Sequence, residues 1–323
     1  MAGPDRAVRR VALAAIARFL DGPPLSAGES AAVMRDLDLL GFRKAAWGLL
    51  LKRRAAAALQ DGGMTILARA LGGRFVVACS GDDSGVGWEI LEHGTYEPHV
   101  VAFYQRNVRP GMTVLDVGAN IGFHALHAAS LVGSEGRVIA VEPDPRNAGL
   151  LRLALAQNSG FRLEVIEAAL SDRDGEVILS DLGNPSNSGA RFVHENQAVL
   201  DGLVHGPAPR FRNVPAFAWD SRYLATPIQF VKMDVEGFEP RVARGMERAL
   251  AQHRPTVLSE FAPSNLRNLG GTEPAAYLQW FRERGYRCSV LVEPSGATEP
   301  ADAARLAARL GTAHHVDVVF EPE

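Results

Sequence analysis

Two acidic constellations stand at spacings that could carry chemistry. In the first, Val114-Leu115-Asp116-Val117 runs into Gly118-Ala119-Asn120-Ile121-Gly122, and Glu142 follows twenty residues later at the end of Val138-Ile139-Ala140-Val141. The pattern reads as a buried parallel strand, a tight turn, a helix opening with exposed amides, and a second strand ending in a carboxylate. In a doubly wound fold such an acid, here Glu142 with its neighbour Pro143, holds ribose hydroxyls. The second constellation is Asp234 and Glu236, which end the apolar run Ile228 to Met233. If that run is a strand, the two side chains share a face. Two carboxylates there need a reason, because buried unpaired charge is expensive. The structural alternative is a salt bridge to Lys232 or Arg241.

What the turn lacks narrows its ligand. A dinucleotide fingerprint wants glycine where Asn120 stands, so that the backbone can approach a pyrophosphate. A phosphate-cradling loop would end in Gly-Lys-Ser/Thr, and this turn has no lysine. Asp116 puts an anion where a phosphate would otherwise sit. A carboxylate there suits a ligand with an amino group and a positive charge, and S-adenosylmethionine has both, plus a ribose for Glu142. Gly118, Ala119 and Gly122 shape the turn. Ala169 and Leu170, with Ser171 and Asp172, follow the third strand and are candidates to flank the adenine, although Asp172 could equally cap the Asp174-Gly175 turn.

Methyl transfer from a sulfonium is an in-line displacement, so positioning dominates, and well-oriented pairs gain roughly 7–11 kcal/mol. A hydroxyl acceptor must also lose a proton, and a positioned base contributes on the order of 10²–10⁴-fold. Asp234 or Glu236 could serve, and His124, just past the turn, is a rival. Mg²⁺ held by Asp234, Glu236 and Glu260 is a further alternative, not the favoured one.

These residues need a sheet to hold them. At 323 residues and 47% hydrophobic composition the chain can bury one large core with an appendage. A net charge of −3 argues against a nucleic-acid binder that works by neutralising phosphates. Two cysteines give neither a disulfide framework nor metal-ligand spacing, which fits a reducing cytoplasm. No run reaches membrane-span length, so no integral membrane segment is expected. Arg9-Arg10 and the apolar residues after them mimic an export signal, but Arg18 interrupts and the spacing is helical. The expected organisation is a helical N-terminal extension over 1–73 and a catalytic domain over 74–323, with its core at 94–291. That domain reads as an α/β fold, a doubly wound, seven-stranded Rossmann-like methyltransferase sheet. Residues 181–215 read as an irregular insert with a helical stretch near Val193 to Leu203, the usual form of a lid or substrate loop. Pro240 to Ala251 reads as one helix.

Asp116-Val117-Gly118-Ala119-Asn120-Ile121-Gly122, Glu142-Pro143, Lys232-Met233-Asp234-Val235-Glu236-Gly237-Phe238-Glu239 and Pro255 through Glu260 together resemble the FkbM family. The resemblance covers roughly Gly94 to Tyr286, and the Asp-Val-Glu-Gly-x-Glu motif is its most specific part. It implies S-adenosylmethionine-dependent methylation of hydroxyl groups on a sugar, glycan or secondary metabolite. It also implies that Tyr96 and Glu97 fold over the methionine end of the cofactor. Residues 1 to about 73 lie outside the resemblance, and Trp219 in Phe217-Ala218-Trp219-Asp220 departs mildly from the family's Leu-Asp. The competing readings are a nicotinamide-dependent oxidoreductase, opposed by Asn120, and a non-catalytic binding module, opposed by the intact acidic motif.

Overall fold

The computed structural model describes residues 65–181, 187–189, 191–195, 210–301, 306, 309–310 and 314–323. The helical expectations for residues 1–64 and for 196–203 lie outside these. The chain divides into two compact units, 1–66 with 80–84 and 67–79 with 85–323, and the second carries the main sheet and the site.

Strands β1 (Thr65–Ala70) and β2 (Phe75–Ser80) form a two-stranded sheet. The expected helical extension therefore ends in a strand, and the boundary drawn at 73/74 falls between two paired strands. Helices α1 (Val86–His93) and α2 (Pro98–Asn107) follow. The nucleotide-binding half is β3 (Thr113–Val117), α3 (Phe123–Val132), β4 (Arg137–Val141), α4 (Pro145–Gln157) and β5 (Leu163–Ile166). A smaller set comes next: β6 (Ala169–Leu170), β7 (Gly175–Ser180), β8 (Phe192–His194), β9 (Phe211–Phe217) and α5 (Trp219–Arg222). The last part is β10 (Phe230–Met233), α6 (Glu239–Gly245), α7 (Glu247–His253), β11 (Thr256–Phe261), α8 (Pro263–Asn268), α9 (Pro274–Arg282), β12 (Tyr286–Val292), β13 (Ala297–Pro300) and β14 (Val316–Pro322). The single helix expected over Pro240 to Ala251 is thus two, parted at Met246.

The main sheet has eight strands in the order β13-β12-β14-β11-β10-β3-β4-β5. Seven were expected, and the extra one is β13, an exposed edge strand with no apolar alternation to announce it. The five from β5 to β11 are parallel, and β14 enters antiparallel between β11 and β12. Helical crossovers bury both faces of a parallel strand, which is why β3 and β4 read as unbroken apolar runs. Leu115, Val117, Ile139 and Val141 pack into one core, while Val114, Val138 and Ala140 pack into the other.

Among the described residues of the insert, Phe192–His194 and residues 211–215 are strand. β6, β9, β7 and β8 form a second, four-stranded sheet. Val193 and His194, where the helical stretch was expected to begin, lie instead in β8, paired with β7. Asp220 accepts hydrogen bonds from the Arg248 and Ala249 amides at 2.7 and 2.9 Å, and fully buried Trp219 stacks on Tyr223. That departure from the family pattern is structural.

Candidate active site

The chain order reverses between β3 and β10, so a crevice opens at their carboxyl ends, where ligands of doubly wound sheets bind. The glycine turn lines one side of it. Gly118 sits at φ 78°, and a Cβ there would overlap the Asp234 carbonyl, so only glycine fits. Gly122, at φ 90°, packs equally close against Leu151 before α3. The Gly118 and Ala119 amides donate to the Val141 carbonyl at 2.9 and 3.1 Å. Glu142 is buried at the end of β4, and its two oxygens accept from the Asn120 and Asp144 amides at 2.7 and 2.8 Å. Burial pushes its carboxyl up to about 7 despite those bonds. Pro143 is buried beside it. Asn120, at φ 52°, turns its Oδ1 onto the Ile121 amide.

Asp116 is 1% exposed, and neither of its oxygens has a hydrogen-bond partner among the described residues. Burial raises its pKa, against the pull of Lys232 and His124. Lys232 lies beside it in the register and is buried, with its Nζ 2.7 Å from Asp234 Oδ2. Burial acts to lower the Lys232 pKa, yet Asp234, Asp116 and Glu97 hold it well above the usual lysine value.

The second side of the crevice is a row of acids. Met233 pairs with Ser259, so Asp234, just past the end of β10, stands beside Glu260 within β11, and Glu260 pairs in turn with Asp317 of β14. Burial, with Asp234 and Glu236 adding to it, raises Glu260 well above the usual carboxylate range. The start of α2 covers this row. Glu97, at φ 43°, accepts a hydrogen bond from His124 Nε2 at 2.8 Å. Burial opposes its ionisation, but the His124 hydrogen bond and the nearby cations hold Glu97 at about 2. Tyr96 packs edge-on to Phe123 and tilted to His124, with ring centroids 6.1 and 5.7 Å away.

The structure therefore brings Tyr96, Glu97, Asp116, Gly118, Ala119, Asn120, Gly122, His124, Glu142 and Asp234 around one crevice. It corrects three site expectations. Asp234 and Glu236 do not share a strand face: β10 ends at Met233, and Glu236 turns away at φ 55°, where Asn265 Nδ2 donates to it at 2.9 Å. Burial, then Asp234 and Glu239, push Glu236 up to about 8. Arg241 pairs with Asp172 and Glu195 rather than with the acidic motif. Asp172 is thereby an ion-pair residue, and Asp174 accepts from the distant Ala218 amide. Ala169 and Leu170 are 4% and 2% exposed, packed in the core.

Sequence reasoning missed Glu239, which closes the motif loop by accepting from the Val235 and Gly237 amides at 3.0 and 3.2 Å. Its place in the motif was the available signal. It also missed the reach of the insert: Arg191 Nε contacts Asp144 Oδ2 at 2.6 Å, and Asn147 Nδ2 donates to the Ser188 carbonyl. Among the described residues no group of three or more His, Cys, Asp or Glu side chains could hold a metal ion, and no helix is long and apolar enough to cross a membrane.

A parallel sheet with an antiparallel strand slotted in beside its edge pair, a glycine turn at the reversal and an acid after β4 define a Rossmann-like methyltransferase. Residues 116–288 match the family model described as the methyltransferase FkbM domain. The match covers more than half of the chain, which belongs to this family of S-adenosylmethionine-dependent methyltransferases. Among curated proteins, ribosomal RNA large subunit methyltransferase E of Alkalilimnicola ehrlichii is 36% identical over 96 residues, covering 29% of this chain and 46% of that protein. Its counterpart in Acinetobacter baumannii is 35% identical over 95 residues, covering 28% and 43%. The chain thus spans less than half the length of these relatives. Among solved structures, methyltransferase FkbM from Methylobacillus flagellatus KT is 17% identical, with 73% of this chain and 53% of that one covered and a TM-score of 0.40. Aeropyrum pernix fibrillarin in complex with S-adenosyl-L-methionine is 13% identical, with 70% and 76% covered and a TM-score of 0.38.

Proposed function

We propose that this enzyme methylates a hydroxyl group on a sugar, glycan or small secondary metabolite, working in the cytoplasm. The observation that carries the cofactor half is Asp116, a buried carboxylate with both oxygens unpartnered among the described residues. An anion left so is costly until a cation reaches it. The α-ammonium of S-adenosylmethionine meets that need, Glu142 has acceptor capacity left for ribose hydroxyls, and Tyr96 with Glu97 closes the methionine end. Bound there, the cofactor supplies an electrophilic methyl group.

The chain's own residues do the rest. Lys232 fixes Asp234 through Oδ2, and Asp234 Oδ1 makes no hydrogen bond among the described residues. That oxygen orients the acceptor hydroxyl. His124 holds Glu97, and Glu236 and Glu239 brace the motif loop. The chain's slight negative charge favours an acceptor without a phosphate backbone. A second reading, methylation of an RNA hydroxyl, is favoured by the ribosomal RNA methyltransferases among its relatives.

Calorimetric titration with S-adenosylmethionine and with NADH tests the donor, and binding of NADH alone would end this reading. Tritiated S-adenosylmethionine offered with a host glycan and metabolite extract, and separately with total ribosomal RNA, tests the acceptor. Label in the extract supports the first reading, whereas label in the RNA alone replaces it with the second.

A further inference from the structure

No motif in the sequence points to His99 or Asp317, yet the fold sets them together at the acceptor side of the crevice. His99 is the second residue of α2, and its Nε2 lies 2.7 Å from Asp317 Oδ2 on β14, with the two side chains 12% and 13% exposed. Asp317 ends the acid row, opposite Glu260 and two strands from Asp234. At the usual spacing of adjacent strands that is roughly 10 Å from Asp234. The second nitrogen of His99, Nδ1, makes no hydrogen bond among the described residues and is not sealed from solvent.

The other groups of the row are engaged or closed. Asp234 gives Oδ2 to Lys232 and keeps Oδ1 for orienting the acceptor hydroxyl, Glu236 is held by Asn265, and Glu239 caps two amides. Among the described residues Glu260 Oε2 is buried without a hydrogen-bond partner, as is His124 Nδ1, whose ring is otherwise tied to Glu97. A ring with one nitrogen on a carboxylate and the other open is the arrangement a general base requires: the carboxylate orients the imidazole and stabilises its charged form.

Resting on the hydroxyl-acceptor reading above, we propose that His99, oriented by Asp317, is the base that takes the proton of the acceptor hydroxyl. The acceptor O–H bond breaks, an N–H bond forms at Nδ1, and the Asp317 carboxylate offsets the imidazolium charge until the proton passes to solvent. The charged groups around the pair are Glu97 from the start of α2, Glu260 from β11, Asp234 after β10, Glu293 after β12 and His315 before β14. Burial works against protonation of His99, but the Asp317 hydrogen bond and the charges of Asp317, Glu97 and Glu293 raise its pKa. Activity therefore rises with pH as the imidazole becomes neutral.

The test combines two measurements on the full chain. Histidine ring NMR of the protein alone follows His99 through a pH titration, in the wild type and in Asp317→Asn, with Asp317→Glu as the charge-keeping control. The His99 titration should fall to lower pH in Asp317→Asn and return toward the wild type in Asp317→Glu; no movement would overturn the dyad. Methyl incorporation from tritiated S-adenosylmethionine into the glycan and metabolite extract is then compared with S-adenosylhomocysteine affinity by calorimetry. His99→Gln should lose on the order of 10²–10⁴-fold in incorporation and the rising pH limb. Its product affinity should hold, and added imidazole should restore part of the activity in His99→Ala. Incorporation by His99→Gln with the limb intact, or a parallel loss of product affinity, would overturn the role of His99 alone. No incorporation by a wild type that binds the cofactor would instead overturn the hydroxyl-acceptor reading.

Discussion

The two sides of the crevice are built by different means. On the donor side, polar groups are turned on the chain's own backbone: Glu142 on two amides, Asn120 on the next amide, and the Gly118 and Ala119 amides on Val141. Shape comes first there, and among the described residues Asp116 has no hydrogen-bond partner. On the acceptor side, carboxylates from the end of β10, from β11 and from β14 crowd together beside Lys232, His99 and His315. The contrast separates two duties. Backbone-fixed shape selects and holds a cofactor, while a concentrated charge cluster keeps unusual protonation states available for chemistry.

Each variant below tests that division. Asp234→Asn should lower turnover about 10²-fold, the cost of a misplaced acceptor, with cofactor affinity intact, as read by labelled methyl incorporation and calorimetry. Equal loss in both would merge the two sides into one. Asp116→Asn should do the reverse, weakening S-adenosylmethionine binding by about 1.5–3 kcal/mol, the worth of a hydrogen bond to a charged group. Turnover at saturating cofactor should stay near wild type. Gly118→Ala should cost about 1–3 kcal/mol in stability, because the methyl overlaps the Asp234 carbonyl; urea denaturation checks it. The smallest effect is a slope. Glu236 ionises at about 8 in the folded protein against an ordinary 4.5, so its contribution to stability is full below 4.5 and lost as pH rises through about 8. Glu236→Gln should flatten the fall in melting temperature across that window, and an unchanged slope would place the titration on another acid.

The donor side was legible because its signals are local. Glycines four apart after an apolar strand, and an acid at the next strand's end, are consecutive facts about one stretch of chain. Asp234 was legible through its motif, although the strand-face argument failed because β10 stops one residue early and Glu236 turns left-handed. His99 and Asp317 were not legible, since 218 positions separate them and only the pairing of β14 with β11 brings them close. Of the second sheet only residues 176–179 were legible as a strand; its partners β6 and β8 are two and three residues long and are held by pairing rather than by propensity. The eighth strand of the main sheet is exposed along its length, so it carries no alternation to read.

Glu97, Asn120 and Glu236 all hold left-handed backbone without being glycine. Each such residue costs about 1–3 kcal/mol and persists only while its surroundings enforce it. The rim of the crevice holds three of the five such residues among the described ones. Under mild denaturant it should soften first, so that activity fades while the sheet beneath it still stands.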